Sequence, residues 1–218
     1  MYLSRIPLDV KRRDTLIALD SPQLFHGAIE SSYQGKRTRN LWRIDWLNNV
    51  CYLLVLSKNE NIDFSHVVKQ FGYPNSKWET KSYNNLLKRL KDGQTWQFRL
   101  KANPVHSSMG DKDKLKNRGR LFAHVTHNQQ KAWLRERSEK NGFILNDDGY
   151  NVVKTEWVKF RKGNSKDKVT IKCATFEGFL TITDVETFVR ALTNGIGRSK
   201  AYGCGLLSIA NVQGNIND

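Results

Sequence analysis

The chain has 218 residues, of which 36 are lysine or arginine and 21 are aspartate or glutamate, giving a formal net charge of +15. A hydrophobic content of 39% with 11% aromatic residues supports a folded core, in one large domain or two of about 100 residues. The three cysteines form no CxxC pair, which excludes a zinc ribbon and a disulfide framework. Such a positive charge is typical of proteins that bind nucleic acid or an acidic membrane surface; a basic protein kept soluble by its charge is the alternative.

The location of the protein is predicted to be the cytoplasm. Cys51 and Cys173 lie in apolar, strand-like runs, as core residues do in a reducing compartment. The longest apolar run, Val50–Leu56, is far too short to span a membrane. At the N-terminus the apolar residues precede the basic ones, which is the wrong order for a secretory signal.

The first half of the chain is predicted to fold as strand, helix, strand, strand, helix and strand. Alternating or helical spacing of apolar residues assigns these elements to Tyr2–Leu8, Pro22–Glu30, Leu41–Trp46, Cys51–Leu56, Asp63–Phe71 and part of Glu79–Leu90. The last stretch is ambiguous, since Thr80–Tyr83 suits a strand and the leucines after it suit a helix. Lys11–Arg13 and Gln34–Arg39 are predicted to be basic loops. Asp20 or Ser21 is predicted to cap the first helix ahead of Pro22.

The second half repeats this order of elements without a visible repeat in sequence. The predicted elements are Thr95–Ala102, a helix capped by Asn128, Val152–Phe160, Val169–Ile182, a helix capped by Asp184, and Leu206–Ala210. Within Thr95–Ala102 the apolar residues alternate with polar ones, which predicts a basic outward face. Arg120–Val125 is predicted as an added strand and Ser107–Asn117 as a mobile polar segment. Two βαββαβ units predict an α+β fold of two tandem ferredoxin-like domains with antiparallel sheets, at residues 1–92 and 93–218.

His26 is the candidate catalytic residue that the first helix presents. Leu24, Phe25, Ala28 and Ile29 form an apolar arc, and His26 falls roughly 130° from its centre, so its ring is predicted near solvent. It lies in the early turns, where the helix dipole disfavours the imidazolium and attracts anions. A neutral, exposed imidazole beside a phosphate can act as a general base. On the helix alone, an ordinary surface histidine remains the alternative.

The loop Gly195–Gly205 is the most specific motif in the chain. Its four glycines allow tight turns and close approach to a ligand, while Arg198 and Lys200 add positive charge. The pattern is neither a dinucleotide fingerprint nor a Walker A loop, and it predicts binding of a phosphate backbone. A helix C-cap followed by a strand bend is the structural alternative.

Basic residues lie beside aromatic ones in several stretches, which suits RNA phosphates and stacked bases. Arg161–Lys166 is a predicted basic hairpin tip that suits an RNA groove, with a solvated turn as the alternative. The residues predicted to contact RNA are Arg37, Arg39, Arg99, Lys101, Arg118, Arg161, Lys162, Gly195, Gly197, Arg198, Lys200, Gly203 and Gly205.

No metal site or cofactor is predicted. His124 and His127 are three residues apart, which in a strand places the rings on opposite faces, and no carboxylate or thiol completes a ligand set. His66 and His106 are predicted to be isolated surface residues.

Three stretches resemble one known family. They are Met1–Ser4, Phe98–Pro104, and Phe176–Ile182 continuing through Gly195–Gly197 to Gly203–Ser208. Together they closely resemble the CasE family, the CRISPR RNA-processing endoribonucleases of the type I-E Cascade complex. The likeness covers nearly the whole chain, and the glycine loop is its most diagnostic part.

The resemblance implies an activity and a set of partners. It implies two ferredoxin-like domains and metal-independent cleavage at the base of a hairpin in the CRISPR repeat. The 2′-OH attacks the adjacent phosphate and leaves a cyclic phosphate or 3′-phosphate and a 5′-OH. The enzyme then stays on its product, the crRNA, with the other Cascade subunits. It is expected to be monomeric when free and not to bind a membrane.

The resemblance also implies residue roles. The catalytic histidine of the family matches His26 by position. Some members have a tyrosine three residues before it and a lysine five residues after it, where this chain has Gln23 and Ser31. Tyr33, Lys36 or Lys200 are the candidates for catalytic support. The alternative functions are a non-catalytic RNA-binding subunit of the same architecture and a DNA-binding protein.

Overall fold

The computed structural model describes residues 1–33, 40–60, 62–112, 119–161 and 168–212, with 108–112 and 119 described by their backbone alone. The strands are β1 (Tyr2–Leu8), β2 (Leu41–Leu47), β3 (Val50–Ser57), β4 (Glu79–Ser82), β5 (Thr95–Ala102), β6 (Val105–Lys112), β7 (Gly119–Ala123), β8 (Phe143–Ile144), β9 (Tyr150–Arg161), β10 (Lys168–Ile182) and β11 (Leu207–Ala210). The α-helices are α1 (Arg13–Asp20), α2 (Gln23–Ser31), α3 (Ser65–Phe71), α4 (Asn84–Leu87), α5 (His127–Ser138) and α6 (Val185–Asn194). Two 3-10 helices span Glu139–Asn141 and Lys200–Tyr202.

The first sheet is antiparallel and has the strand order β2-β3-β1-β4. Helices α1 and α2 connect β1 to β2, and α3 connects β3 to β4, which is the ferredoxin-like arrangement. Phe25 and Ile29 of α2 and Phe71 of α3 are buried in one cluster with Leu53 and Val55 of β3. The helices therefore cover one face of this sheet.

The second sheet repeats the arrangement. Its strand order is β11-β5-β10-β8, and the long strand β9 also pairs with β10. The predicted alternation of β5 is confirmed, because Trp96, Phe98, Leu100 and Ala102 are all buried. Both sheets and their helices thus give an α+β fold of two ferredoxin-like units, as predicted. The division of the chain between residues 92 and 93 stays a prediction.

Arg43 joins the two sheets. It lies on β2, is only 2% exposed, and donates from Nε and Nη2 to the two carboxylate oxygens of Asp45 at 2.8 and 2.5 Å. Its Nη1 donates to the carbonyl oxygens of Arg99 and Leu206, at 2.9 and 2.8 Å, and its Nη2 also donates to Ser208 Oγ at 2.7 Å. One buried guanidinium therefore binds β5 and the segment leading into β11 to the edge of the first sheet.

Two predictions about local structure were wrong. The loop predicted over Lys11–Arg13 is one residue too long, because Arg13 begins helix α1, which was not predicted at all. The apolar pattern of α1 does not match its burial. Leu16 and Ile17 are 51% and 46% exposed, while Thr15 is buried and donates to the Phe71 carbonyl at 2.9 Å. Residues 107–112 were predicted as mobile, but they belong to β6, which pairs antiparallel with β7. Residues 113–117 lie outside the described residues.

Helix caps differ in part from the expected ones. Asp184 caps α6 as predicted, accepting from the Thr187 amide at 3.0 Å. Helix α2 follows Pro22 and has no side-chain cap, although Asp20 or Ser21 was expected to supply one. Helix α5 is capped by Thr126, two residues before the predicted Asn128, in a reciprocal box with Gln129. The ambiguous stretch Glu79–Leu90 holds both β4 and α4.

All three cysteines are buried and unpaired, and Cys173 Sγ lies 3.6 Å from Cys204 Sγ. Their burial agrees with the expected core role of Cys51 and Cys173. Across the described ranges, none of the helices has the length and apolar character needed to cross a membrane.

Candidate functional site

His26 lies on the side of α2 that is turned away from the first core. Phe25, Ala28 and Ile29 are buried, and His26 is partly exposed, as its position on the helix predicted. Leu24 was placed in the same apolar arc, but it is 37% exposed. The burial of its neighbours fixes α2 against the sheet and leaves the imidazole facing a cleft.

The cleft has a volume of about 720 Å³ and lies between the two halves of the chain. His26, Glu30 and Asn40 come from the first half. The second half contributes Asn103, Leu121, Gly197, Arg198, Ser199, Lys200, Ala201 and Tyr202. The structure therefore brings the predicted catalytic histidine together with three predicted residues of the glycine loop, Gly197, Arg198 and Lys200.

The glycine loop is shaped by backbone conformations that suit glycine. Gly195, Gly197, Gly203 and Gly205 all have positive φ angles between 74° and 91°. The Ile196 amide donates to the Gly205 carbonyl at 2.9 Å, so the two ends of the loop meet. A Cβ atom at Gly203 would lie 2.9 Å from the indole ring of Trp42 on β2. Close packing on the first half therefore requires glycine here.

Positive charge lines the loop side of the cleft. Arg198 is exposed, and Lys200 lies at the start of the 3-10 helix Lys200–Tyr202. The Lys200 ammonium donates to the Asn194 carbonyl at 2.7 Å, which holds the side chain along the end of α6. Both cations line the same cleft as His26, a combination that suits binding of a phosphate group.

The three candidates for catalytic support have different positions. Lys200 lines the cleft. Tyr33 is not among the lining residues, because its ring packs against the first core. Burial, with a smaller effect of Glu30, raises the pKa of its hydroxyl. Lys36 lies outside the described residues, as do Arg37, Arg39, Arg118 and Lys162 among the predicted RNA contacts.

Arg99 and Lys101 lie in a different cleft, of about 350 Å³, none of whose lining residues belongs to the His26 cleft. The Arg99 guanidinium contacts the carboxylate of Glu177 and lies 3.5 Å from that of Asp45. The Lys101 ammonium lies 2.6 Å from Glu156 Oε1. Both cations thus have carboxylate partners, and their role in RNA binding stays a prediction.

The basic hairpin formed by β9 and β10 is anchored beside the cleft. Arg161 pairs with Lys168, and residues 162–167 between them lie outside the described residues. Phe160 packs its ring against Tyr202 of the glycine loop, with centroids 4.8 Å apart. Arg161 is exposed on the opposite face. A groove-binding role for the hairpin stays a prediction, but its base is fixed to one wall of the cleft.

Glu30 and Asn103 also line the cleft, and neither was predicted as a site residue. Glu30 follows His26 by four residues, so helical spacing alone places it one turn away. Asn103 ends β5 and donates from Nδ2 to Ser199 Oγ at 2.8 Å. No signal in the sequence indicates this pair, because 96 residues separate its members.

His66 and His106 are exposed, as predicted, but they are not isolated. His66 Nε2 forms a hydrogen bond with Ser31 Oγ at 2.9 Å. The His106 ring stacks on Phe122, with centroids 5.9 Å apart, and lies 4.8 Å from the ring of His124. His124 directly follows β7 and His127 begins α5, so the two histidines do not lie in one strand. Within the described ranges, no three His, Cys, Asp or Glu side chains are grouped closely enough to hold a metal ion.

We expect His124 to make the fold less stable as the pH falls from about 7 to 5. Burial, with the nearby His106, lowers the pKa of His124, while Glu136 and Arg137 act in opposite directions. The unfolded chain therefore takes up a proton near its ordinary pKa of about 6.5, before the folded chain does, and this favours unfolding. Urea unfolding of wild type and His124→Gln at several pH values measures the effect, and the variant should show a shallower decline.

The exposed His127 supplies the control, because His127→Gln removes a nearby histidine outside this contact. An equal decline in wild type and His124→Gln would contradict the assignment.

Comparison with known proteins gives one family. The model of the family described as CRISPR associated protein matches residues 1–211. The CRISPR-associated endoribonuclease Cse3 of Thermus thermophilus is 27% identical over 223 residues, covering 96% of this chain and 100% of the relative. The CRISPR system Cascade subunit CasE of Escherichia coli is 30% identical over 127 residues, covering 56% and 61% of the two chains. A structure of Cse3 bound to a 19-nucleotide RNA matches with a TM-score of 0.79 and 26% identity, over 96% of this chain and 100% of the other.

Proposed function

This chain belongs to the CRISPR-associated protein family, in agreement with its resemblance to CasE, and from this we propose that it is an endoribonuclease that processes CRISPR precursor RNA. The observation that carries the proposal is the single cleft that His26, Arg198 and Lys200 all line. The names of the similar proteins support it, since Cse3 is an endoribonuclease and one Cse3 structure contains RNA.

The proposed reaction uses the RNA's own nucleophile and no metal ion. The 2′-oxygen attacks the adjacent phosphorus, the bond from phosphorus to the 5′-oxygen breaks, and a 2′,3′-cyclic phosphate and a 5′-OH are formed. His26 takes the proton from the 2′-OH or gives one to the leaving 5′-oxygen, since an imidazole can serve in either direction. Lys200 and Arg198 offset the negative charge that grows on the phosphorane. Hydrolysis of the cyclic product would give the 3′-phosphate.

The partners proposed for the protein are the hairpin of the CRISPR repeat, the crRNA product and other Cascade subunits. The Escherichia coli relative carries the name of a Cascade subunit, which supports the last of these. The net charge of +15 suits an RNA that remains bound after cleavage, because phosphate contacts supply most of the affinity for a polyanion. We propose a free monomer in the cytoplasm, with domains at residues 1–92 and 93–218.

The proposed chemistry predicts cleavage in EDTA that depends on one hydroxyl. A repeat hairpin incubated with the protein in excess EDTA should be cut once, and the upstream fragment should end in a cyclic phosphate or 3′-phosphate. The same hairpin with a 2′-deoxynucleotide at the cut site should bind equally well and stay intact. Gel electrophoresis and mass spectrometry of the fragments measure both results.

Cleavage of the 2′-deoxy substrate would contradict attack by the 2′-OH, and loss of wild-type cleavage in EDTA would contradict metal independence. Competition by duplex DNA would favour the DNA-binding alternative.

The alternative function is a non-catalytic RNA-binding subunit. One observation favours it, which is that Tyr33 packs against the first core and does not line the cleft with His26. A protein of this kind would bind the repeat hairpin and leave both the ribose and the deoxyribose substrates uncut.

A further inference from the structure

Ser199 has a backbone conformation that serine rarely adopts. Its φ and ψ angles are 60° and 31°, in the left-handed region. The other non-glycine residues with positive φ in the described ranges are Asn48, Asn49 and Asn75. Asparagine tolerates this region, whereas other L-residues are strained in it by roughly 1–2 kcal/mol. Ser199 is therefore the unusual member of this set.

The glycines of the surrounding loop show that serine at position 199 is unusual. Gly195, Gly197, Gly203 and Gly205 occupy positive-φ positions in the same loop. A glycine at position 199 would adopt the observed conformation without strain. The side chain of Ser199 is therefore present despite the strain, and strained residues of this kind are concentrated at functional sites.

Capping does not explain the side chain. Ser199 lies at the N-cap position of the 3-10 helix Lys200–Tyr202, where a serine hydroxyl commonly accepts a backbone hydrogen bond. The structure shows no such side-chain bond, and Tyr202 donates its amide to the backbone carbonyl of Ser199 instead, at 2.9 Å. The helix turn would therefore keep this bond without the hydroxyl.

Asn103 fixes the orientation of the hydroxyl. Asn103 is 9% exposed, and its Nδ2 donates to Ser199 Oγ at 2.8 Å. Its Oδ1 has no hydrogen-bond partner in the described part of the chain. Because Ser199 Oγ accepts this bond, its own hydrogen is left for donation to a group in the cleft that His26 also lines.

We infer that Ser199 is a further catalytic residue, whose hydroxyl donates a hydrogen bond to a non-bridging oxygen of the scissile phosphate, and that Asn103 is its positioning residue. The inference rests on the proposed function, because it needs an RNA phosphate in the cleft. Charge on the non-bridging oxygens grows as the phosphorane forms, so the bond strengthens in the transition state. No proton is transferred by Ser199, and His26 keeps the acid–base role.

Two substitutions at Ser199 separate the hydroxyl from the backbone. Ser199→Gly removes the hydroxyl and the strain, whereas Ser199→Ala removes the hydroxyl alone. Both are expected to slow single-turnover cleavage about 100-fold, the loss seen when one donor to a transition-state oxyanion is removed, with the Kd for uncleaved RNA unchanged. Thermal unfolding of Ser199→Gly should occur at or above the wild-type temperature. Asn75→Gly is the matched control, because Asn75 has the same φ of 60° and does not line the cleft.

A phosphorothioate at the cut site and a double-mutant cycle give readouts that a structural role would not change. Replacing one non-bridging oxygen with sulfur weakens its hydrogen bond, so one diastereomer should slow the wild type and should slow Ser199→Gly no further. Asn103→Ala should slow the wild type and add nothing to Ser199→Gly.

The outcomes are distinguishable. Failure of the wild type to cleave would overturn the proposed function and this inference with it. Wild-type cleavage with an undiminished rate in Ser199→Gly, a sulfur effect that persists in that variant, or an additive effect of Asn103→Ala would overturn the inference alone.

Discussion

Replacing His26 with alanine is expected to slow cleavage of the repeat hairpin by about 10²- to 10⁴-fold, the usual contribution of a general acid or base. RNA affinity should change little, because the cations of the cleft come from the glycine loop and remain in place. Helix α2 should also keep its position, since Phe25 and Ile29 hold it against the first sheet. Single-turnover cleavage and equilibrium binding, measured on the same RNA, test both parts.

The control for this prediction is His66→Ala. His66 is exposed on α3 and bonds to Ser31, and it does not line the cleft. Its loss should leave the cleavage rate unchanged. Equal rates for His26→Ala and wild type would remove His26 from the mechanism, and loss of RNA binding with cleavage would give it a binding role instead.

Replacing Arg43 with methionine is expected to lower the free energy of unfolding by about 3–5 kcal/mol, the range for breaking a buried ion pair from one side. The Asp45 carboxylate would stay buried and lose both of its bonds from Arg43. The Arg99 and Leu206 carbonyls would lose a donor at the same time. Urea unfolding followed by tryptophan fluorescence measures the change.

Arg5→Met is the matched control on the same sheet. Arg5 forms an ion pair with Glu79 at 2.8 Å, but the two side chains are 41% and 59% exposed. Breaking a surface pair of this kind should lower stability by less than about 1 kcal/mol. Similar losses for Arg5→Met and Arg43→Met would show that the buried position of Arg43 contributes nothing special.

The fold could largely be predicted because its local patterns agree with its tertiary structure. Trp96, Phe98 and Leu100 alternate in sequence and are buried in the structure, and Asp184 caps the helix that follows it. Helix α1 shows where such reasoning fails, because Leu16 and Ile17 are exposed while Thr15 is buried. Burial there depends on the Phe71 carbonyl, a partner 56 residues away that local periodicity cannot reveal.

The candidate site could be predicted only where one element determines the position of a side chain. Helical spacing correctly predicted that His26 lies away from the core, and the glycines identified the loop that lines the same cleft. The Asn103–Ser199 pair depends on tertiary packing and on a φ angle, and neither has a pattern in the sequence. The outward face of β5 was also predicted. The carboxylates that pair with its Arg99 and Lys101 were not, because Glu177 and Glu156 lie on strands that are distant in sequence.

The walls of the His26 cleft come from both halves of the chain, so an RNA bound there as proposed would link the two halves. Such an RNA, in contact with α2 and with the glycine loop, would hold together the same two halves that Arg43 joins. Its binding free energy would therefore oppose separation of the two halves. Release of the product would then require the contacts on both walls to be lost together, which would favour an enzyme that cuts once and stays bound to the end of its own product.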